Sequence, residues 1–228
     1  MTISIQTTAD GSQTVFSDQF QETYHSVNGA IVESKHVFIE AGFNTSTLPS
    51  ITVFEAGFGT GLNALLTLLE ARKRGINVVY HSIELYPLQQ SIIDGLEYAG
   101  LLSSDRELFR ALHDAPWNRV TSITPWFELK KIKADLLDFT PDDNFDVIYF
   151  DAFSPNIQPD LWSKTVFQKL YDKMNCNGIL TTYCAKGVVR RTLQEVGFSV
   201  ERLAGPPGKR EMLRGKKVMN IPVRIFKS

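Results

Sequence analysis

Between Ile51 and Arg74 an apolar, β-branched run, a glycine-studded turn and a leucine-striped segment follow one another without a break. Ile51-Thr52-Val53-Phe54-Glu55 reads as a short strand that stops at Gly57-Phe58-Gly59-Thr60-Gly61. Leu62, Leu65, Leu66 and Leu69 then recur at helical spacing, and Gly75 closes the helix. Val78 to Glu84 reads as a second strand, with a helix expected to start near Pro87, a residue well tolerated in a first turn. Strand, helix, strand, helix implies a parallel sheet covered on both faces, because parallel strands need crossover helices.

The alternation continues. Strands are expected from Phe127 to Ala134, ending at Asp135, and from Phe145 to Asp151, the latter almost wholly apolar as a central strand should be. A helix from Trp162 to Met174 leads to a fifth strand, Gly178 to Cys184. A further helix, Val188 to Val196, is stopped by Gly197 and followed by a sixth strand, Phe198 to Leu203. Met212-Leu213-Arg214 and Ile221 to Phe226 are expected to close the sheet as a terminal hairpin or edge. Residues 51–228 thus read as one doubly wound α/β domain. Residues 1–50 read as a polar N-terminal appendage packing on it, with a short helix in Ile31 to Phe43 closing on Gly42.

Composition narrows the classes. With 43% apolar and 21% charged residues the chain is globular rather than disordered. No run approaches the roughly 18 to 20 apolar residues of a membrane span. Met1 to Phe20 contains Asp10 and Asp18 and no basic residue, unlike a secretory signal. Cys176 and Cys184 cannot make a disulfide framework or a four-cysteine zinc site, and His25, His36, His81 and His113 show no paired ligand spacing. The expectation is a cytoplasmic, reduced protein without a metal. The net charge of −1 conceals a net of +8 from Lys186 onward against −9 before it. The basic part suits either a solvated face or a polyanion such as RNA.

The chemistry concentrates at expected strand ends. Glycines after a first strand let a ligand approach the backbone, and the helix they open offers free N–H groups. The spacing is G-x-G-x-G rather than the G-x-G-x-x-G of dinucleotide sites, which disfavours a nicotinamide oxidoreductase. Glu55, two residues before Gly57, suits a ligand carrying positive charge, such as an ammonium or a sulfonium. Glu84 stands where a carboxylate can accept ribose hydroxyls, and Asp135-Leu136 where an adenine would be flanked. Asp151 is expected to face the reactive end of the cofactor. Phe153 and Trp162, around the rigid Pro155 loop, could wall a planar substrate. Lys130, Lys131 and Lys133 read as a solvated face, and Cys184 as an inert core thiol.

Together these residues resemble a class I S-adenosylmethionine-dependent methyltransferase, a Rossmann-like, doubly wound and mostly parallel seven-stranded sheet. Several strings are more specific: Asp151-Ala152-Phe153-Ser154-Pro155, Pro159-Asp160-Leu161-Trp162, Gly178 to Tyr183, Val188 to Phe198, Lys209-Arg210-Glu211-Met212, and Asn28-Gly29-Ala30 through Glu33 to Glu40 near the N-terminus. They resemble the methyltransferase domain of MnmC-type tRNA wobble-uridine modification enzymes. That resemblance implies S-adenosyl-L-methionine held by Glu55, Gly57, Phe58, Gly59, Gly61, Asn63, Glu84, Asp135, Leu136 and Asp151. It implies methylation of the aminomethyl nitrogen at C5 of a modified uridine at tRNA position 34, with the anticodon stem-loop as partner. Asp151 is the candidate to hold the amine and take its proton. Phe153, Pro155, Trp162, Tyr183, Lys209 and Arg210 are the candidate substrate contacts, with Arg190 and Arg191 adding to the basic face. The flavin domain of bifunctional relatives has no counterpart here, so a stand-alone methyltransferase is expected. The alternatives are a methyltransferase of a small amine metabolite and a non-catalytic nucleotide-binding domain.

Overall fold

The computed structural model describes residues 3–218 of the 228-residue chain. β1 (Ile3–Thr7), β2 (Gln13–Ser17) and β3 (Glu22–Thr23) form a small antiparallel sheet. α1 (Ala30–Ser34) follows and runs on as a π-helical turn, Lys35–Glu40, capped at Ala41 beside the expected Gly42. Next come β4 (Ser50–Ala56), α2 (Leu62–Arg74), β5 (Asn77–Glu84), and three short helices, α3 (Gln90–Ile93), α4 (Tyr98–Leu101) and α5 (Arg106–Asp114). β6 (Val120–Thr124), β7 (Phe127–Lys133) and β8 (Phe145–Phe150) lead to α6 (Lys164–Asp172) and β9 (Met174–Thr182). α7 (Gly187–Val196), β10 (Ser199–Ala204) and β11 (Glu211–Lys216) complete the described chain.

The main sheet has the order β10-β11-β9-β8-β4-β5-β7-β6. From β4 the chain winds outward through β5 to β7, then returns to lay β8 along the other side of β4, both neighbours parallel to it. The winding reverses between β4 and β8, and the crevice beyond their carboxyl ends is where open α/β sheets bind ligands. Side chains alternate across this sheet as the strand period requires. Val53, Val147 and Tyr149 pack with Leu62 and Leu65 of α2, whereas Phe54, Ile148 and Phe150 pack with Phe167 of α6 and Leu193 of α7.

The doubly wound α/β expectation holds, with three corrections. The described sheet has eight strands rather than seven, because Val120–Thr124 adds an antiparallel edge strand beside β7. Pro87 opens no helix; α3 starts at Gln90, and short helices replace one long one. Met212-Leu213-Arg214 is not an edge. The hairpin after β10 turns β11 inward between β10 and β9, where Met212 and Leu213 are fully buried. Ile221 to Phe226 lies outside the described residues. The N-terminal segment packs on the main domain, with Val15, Val37, Phe38 and Phe43 in one cluster with Val53 and Leu65. Among the described residues no helix is long and apolar enough to cross a membrane.

Candidate active site

The glycine turn stitches three strand tips together. Gly57 N donates to Ile83 O at 2.9 Å, joining β4 to β5, and Asp151 N donates to Ala56 O at 3.1 Å, joining β8 to β4. Gly57 adopts φ +97°, and a Cβ there would stand 3.0 Å from the Asp151 carbonyl oxygen. A side chain there would be strained by the positive φ and would need the Asp151 backbone to give by a few tenths of an ångström. Gly61, at φ +72°, leads into α2. Beyond these tips opens a cavity of about 560 Å³.

Acids come to its wall from β5, β7 and β8. Glu84 uses both oxygens, accepting Gly59 N–H at 3.1 Å and Tyr86 N–H at 2.8 Å, while burial raises its pKa. Asp135 accepts the N–H of Leu137 at 2.9 Å and shares the wall with Leu136. Asp151 receives the Asn63 amide N–H at 2.8 Å. Burial, reinforced by the nearby Glu33 carboxylate, pushes the Asp151 carboxyl up to about 7 despite that hydrogen bond and the opposing pull of Lys209.

Gly57, Phe58, Gly59, Asn63, Glu84, Asp135, Leu136 and Asp151 therefore converge on one cavity as expected. Glu55 and Gly61 are not on its wall. Glu55 points the same way as Val53, under the first turn of α2, and has no exposed surface. One of its oxygens accepts the Ser82 hydroxyl at 2.6 Å, and the other has no partner. Burial drives this carboxyl up to about 8, with the Ser82 hydrogen bond opposing and Asp151 adding to the rise.

The substrate candidates divide. Phe153 and Tyr183 line the cavity; Pro155, Trp162 and Arg210 do not. Trp162 is buried against Phe150 and Phe167 and spends its indole N–H on the Phe153 carbonyl at 2.8 Å, so it supports the loop from behind. Arg210 is exposed, and Arg190 and Arg191 of α7 also lie off the wall. Lys209 reaches the cavity, but its ammonium is bound to the Glu33 carboxylate at 2.5 Å and lies 3.9 Å from the centre of the Tyr183 ring.

Sequence reasoning missed the contribution of residues 1–50. Phe20 and Tyr24 pack on Phe153 with ring centres 4.5 and 5.0 Å apart, and Glu22 accepts the Ser154 N–H at 3.2 Å. Glu33 is buried, and its second oxygen accepts the Ser26 N–H at 2.7 Å. Within the sequence, only the resemblance of the Glu33 to Glu40 string to a family pattern pointed there. Lys131 was misread as solvated. It is buried with its ammonium 4.8 Å from the Trp117 ring centre and 5.2 Å from that of Phe58, and it donates to the His113 carbonyl. His113 in turn donates its ring N–H to Thr60 O at 3.1 Å, so this cluster braces the glycine turn from outside. The alternation of Phe127, Leu129 and Lys131 was the available signal, since all three share one buried face. Cys184 is buried, and burial raises its thiol pKa, in keeping with an inert role.

Residues 123–218 match the protein family described as "S-adenosyl-L-methionine-dependent methyltransferase". The tRNA 5-methylaminomethyl-2-thiouridine biosynthesis bifunctional protein MnmC of Burkholderia thailandensis is 31% identical over 89% of this chain and 33% of its own length. Its namesake from Ralstonia nicotianae is 32% identical over 87% and 32%. The chain thus spans about a third of the length of these curated relatives. The crystal structure of MNMC2 from Aquifex aeolicus superposes with a TM-score of 0.75 at 23% identity, covering 94% of this chain and 70% of that one. Spermidine synthase from Thermotoga maritima shares the fold at a TM-score of 0.58 and 16% identity, over 94% and 68%. Fold, cavity and family match define an S-adenosyl-L-methionine-dependent methyltransferase with the class I architecture. Within that class, nearly nine-tenths of the chain is similar to the MnmC bifunctional proteins.

The residues present fit the cofactor. Gly57 leaves a gap that a Cβ would fill against Asp151, and the Asn63 amide oxygen is buried without a partner beside the cavity. Among the described residues the wall carries six carboxylates, from Glu22, Glu33, Glu84, Asp135, Asp151 and Asp160, against the single lysine Lys209. Such a wall suits a sulfonium-bearing, net cationic ligand far better than a dinucleotide pyrophosphate.

Proposed function

We propose that this domain methylates the aminomethyl nitrogen at C5 of a modified wobble uridine in cytoplasmic tRNA, giving the 5-methylaminomethyl product. The acidic cavity carries the reading: six carboxylates around one lysine favour an amine as the second ligand beside the cofactor. The relatives named for 5-methylaminomethyl-2-thiouridine biosynthesis support the choice of amine. The excess of basic residues from Lys186 onward supports a polyanionic carrier for it.

S-Adenosyl-L-methionine, when bound, supplies a methyl group already activated by its sulfonium. What remains for the protein is alignment and proton handling. Glu84, the backbone of Gly57 to Gly59, and Asp135 with Leu136 would hold the cofactor. Phe20, Tyr24 and Phe153 offer aromatic faces for a planar base. An alkylamine attacks only through its free lone pair, and its pKa in water is about 10. A carboxyl with a pKa near 7 is a better proton acceptor than an ordinary aspartate, and Asp151 has that value. Asp151 therefore orients the amine by hydrogen bonding and takes the proton that the nitrogen gives up.

The test is methyl transfer by the purified protein to tRNA carrying 5-aminomethyl-2-thiouridine, read by mass spectrometry of the nucleosides. The expected result is the methylaminomethyl nucleoside at the wobble position. Asp151→Asn should keep cofactor affinity while slowing transfer by about 10²- to 10⁴-fold. Methylation of small amines with none on the tRNA would overturn the reading in favour of a metabolite methyltransferase.

A further inference from the structure

Among the described residues Lys209 is the single lysine on the cavity wall, and its ammonium is already engaged. It sits against one oxygen of Glu33 and over the face of Tyr183, the combination of carboxylate and aromatic ring that binds alkylammonium ions. Both partners are fixed independently of it. Glu33 is buried and held by the Ser26 N–H, and the Tyr183 hydroxyl donates to Ala152 O at 2.9 Å. Lys209 itself arrives from the Gly205–Gly208 turn on a partly exposed side chain, 31% accessible, so solvent can receive it once another cation takes its place beside Glu33. Asp151 lies on the same wall and feels both charges.

We infer that Glu33 and Tyr183 form a seat for a primary alkylammonium, which Lys209 occupies in the free enzyme and yields to the amine of the substrate. The inference rests on the amine-substrate reading and deepens it. A lysine terminus and an aminomethyl group both present a CH₂–NH₃⁺ unit, so the exchange leaves the charge of the seat unchanged. That removes the penalty of stripping a buried carboxylate of its counter-ion. The displaced Lys209 becomes free to meet the anionic part of an incoming polyanion. Glu33 is thus a residue that selects the substrate's amine, beside Asp151, which takes its proton.

The experiment uses propylammonium as probe and titration calorimetry in the presence of S-adenosylhomocysteine. Lys209→Met should bind the probe at least about tenfold more tightly than the wild type, because the internal competitor is gone. Adding Glu33→Gln should abolish the gain. Arg210→Met, which removes a neighbouring charge off the wall, should give none. No gain in Lys209→Met, or an equal gain in Arg210→Met, overturns the seat. If the double variant does not fold, the two single variants still decide. Methylation of tRNA by the wild type is scored separately. A gain in Lys209→Met without tRNA methylation sinks only the wobble-uridine reading, and the reverse result sinks only the seat.

Discussion

Glu55 illustrates how a single side chain can be located correctly and assigned wrongly. Its place two residues before Gly57 suggested a ligand, yet the strand period turns it under α2, with Ser82 of β5 and Tyr149 of β8 as its neighbours in register. Counting from Val53, whose side chain faces α2, would have shown this. A buried acid with a raised pKa has a definite thermodynamic signature. The unfolded carboxyl titrates near its ordinary 4.5 and the folded one at about 8, so between those values the native state holds a proton that the unfolded state has lost. Stability therefore falls as pH rises through that window, and the full desolvation cost is present above it. Glu55→Gln keeps an acceptor for the Ser82 hydroxyl and removes the charge. Calorimetry without cofactor should place its melting temperature above the wild type by about 3 °C or more at pH 9, the shift that roughly 1 kcal/mol produces at this size. The gap should close toward pH 5, and parallel curves at all pH values would contradict the assignment. Asp151, Glu84 and Asp135 were legible because residues at the carboxyl ends of parallel strands share one crevice. Glu33 and Lys131 were not, since what sets their roles is contact with segments remote in sequence.

At the scale of elements, legibility followed the strength of the local pattern. The leucine stripe and Gly75 bounded α2 at Leu62–Arg74, and β4, β5 and β8 fall within about a residue of their apolar runs. β6 was invisible because Val120–Thr124 is an edge strand with no buried face to impose alternation. α3 and α4, at four residues each, are too short to show a helical period. The inward turn of β11 is a choice of neighbour that no strand encodes alone. Two glycines separate backbone strain from close approach. Gly75 has φ +66° and nothing within 4 Å of where a Cβ would stand, so Gly75→Ala should cost about 1 kcal/mol of stability and leave cofactor binding intact. Gly57 combines φ +97° with the Asp151 carbonyl at 3.0 Å, a backbone obstacle that cannot swing away. Gly57→Ala should lose about 1–3 kcal/mol and weaken S-adenosyl-L-methionine binding at least about tenfold. Melting curves and titration calorimetry on the pair check both halves, and equal cofactor affinities would refute the role given to this turn.

For the whole molecule the question is whether residues 1–50 are an appendage or part of the folding unit. Their contacts argue for the second. Phe38 packs on Tyr149 of β8 with ring centres 5.2 Å apart, and Val37, Ile39 and Phe43 are buried in the same cluster as α2. His36 hydrogen-bonds Ala204 O at 2.7 Å, tying the helical turn to β10, and Tyr98 donates to Gln13 O at 2.6 Å, tying α4 to β2. At about 1.5–3 kcal/mol for each large side chain removed from water, these four residues alone approach the roughly 5–15 kcal/mol by which a domain is stable. The fragment 51–228 would expose the facing surface of α2 and lose Tyr24, Glu22 and Glu33 from the cavity. We propose that the boundary near residue 50 does not separate two folding units. The full chain should melt in one cooperative transition, while the fragment should lack cooperative melting and bind no cofactor. Removing only residues 1–27 spares α1 and the π-helical turn, so that variant should stay folded but lose methyl transfer through the missing aromatic wall. Circular dichroism melts, cofactor titration and the methylation assay on the three proteins test the ordering. A fragment 51–228 that melts cooperatively and binds S-adenosyl-L-methionine would restore the two-part division.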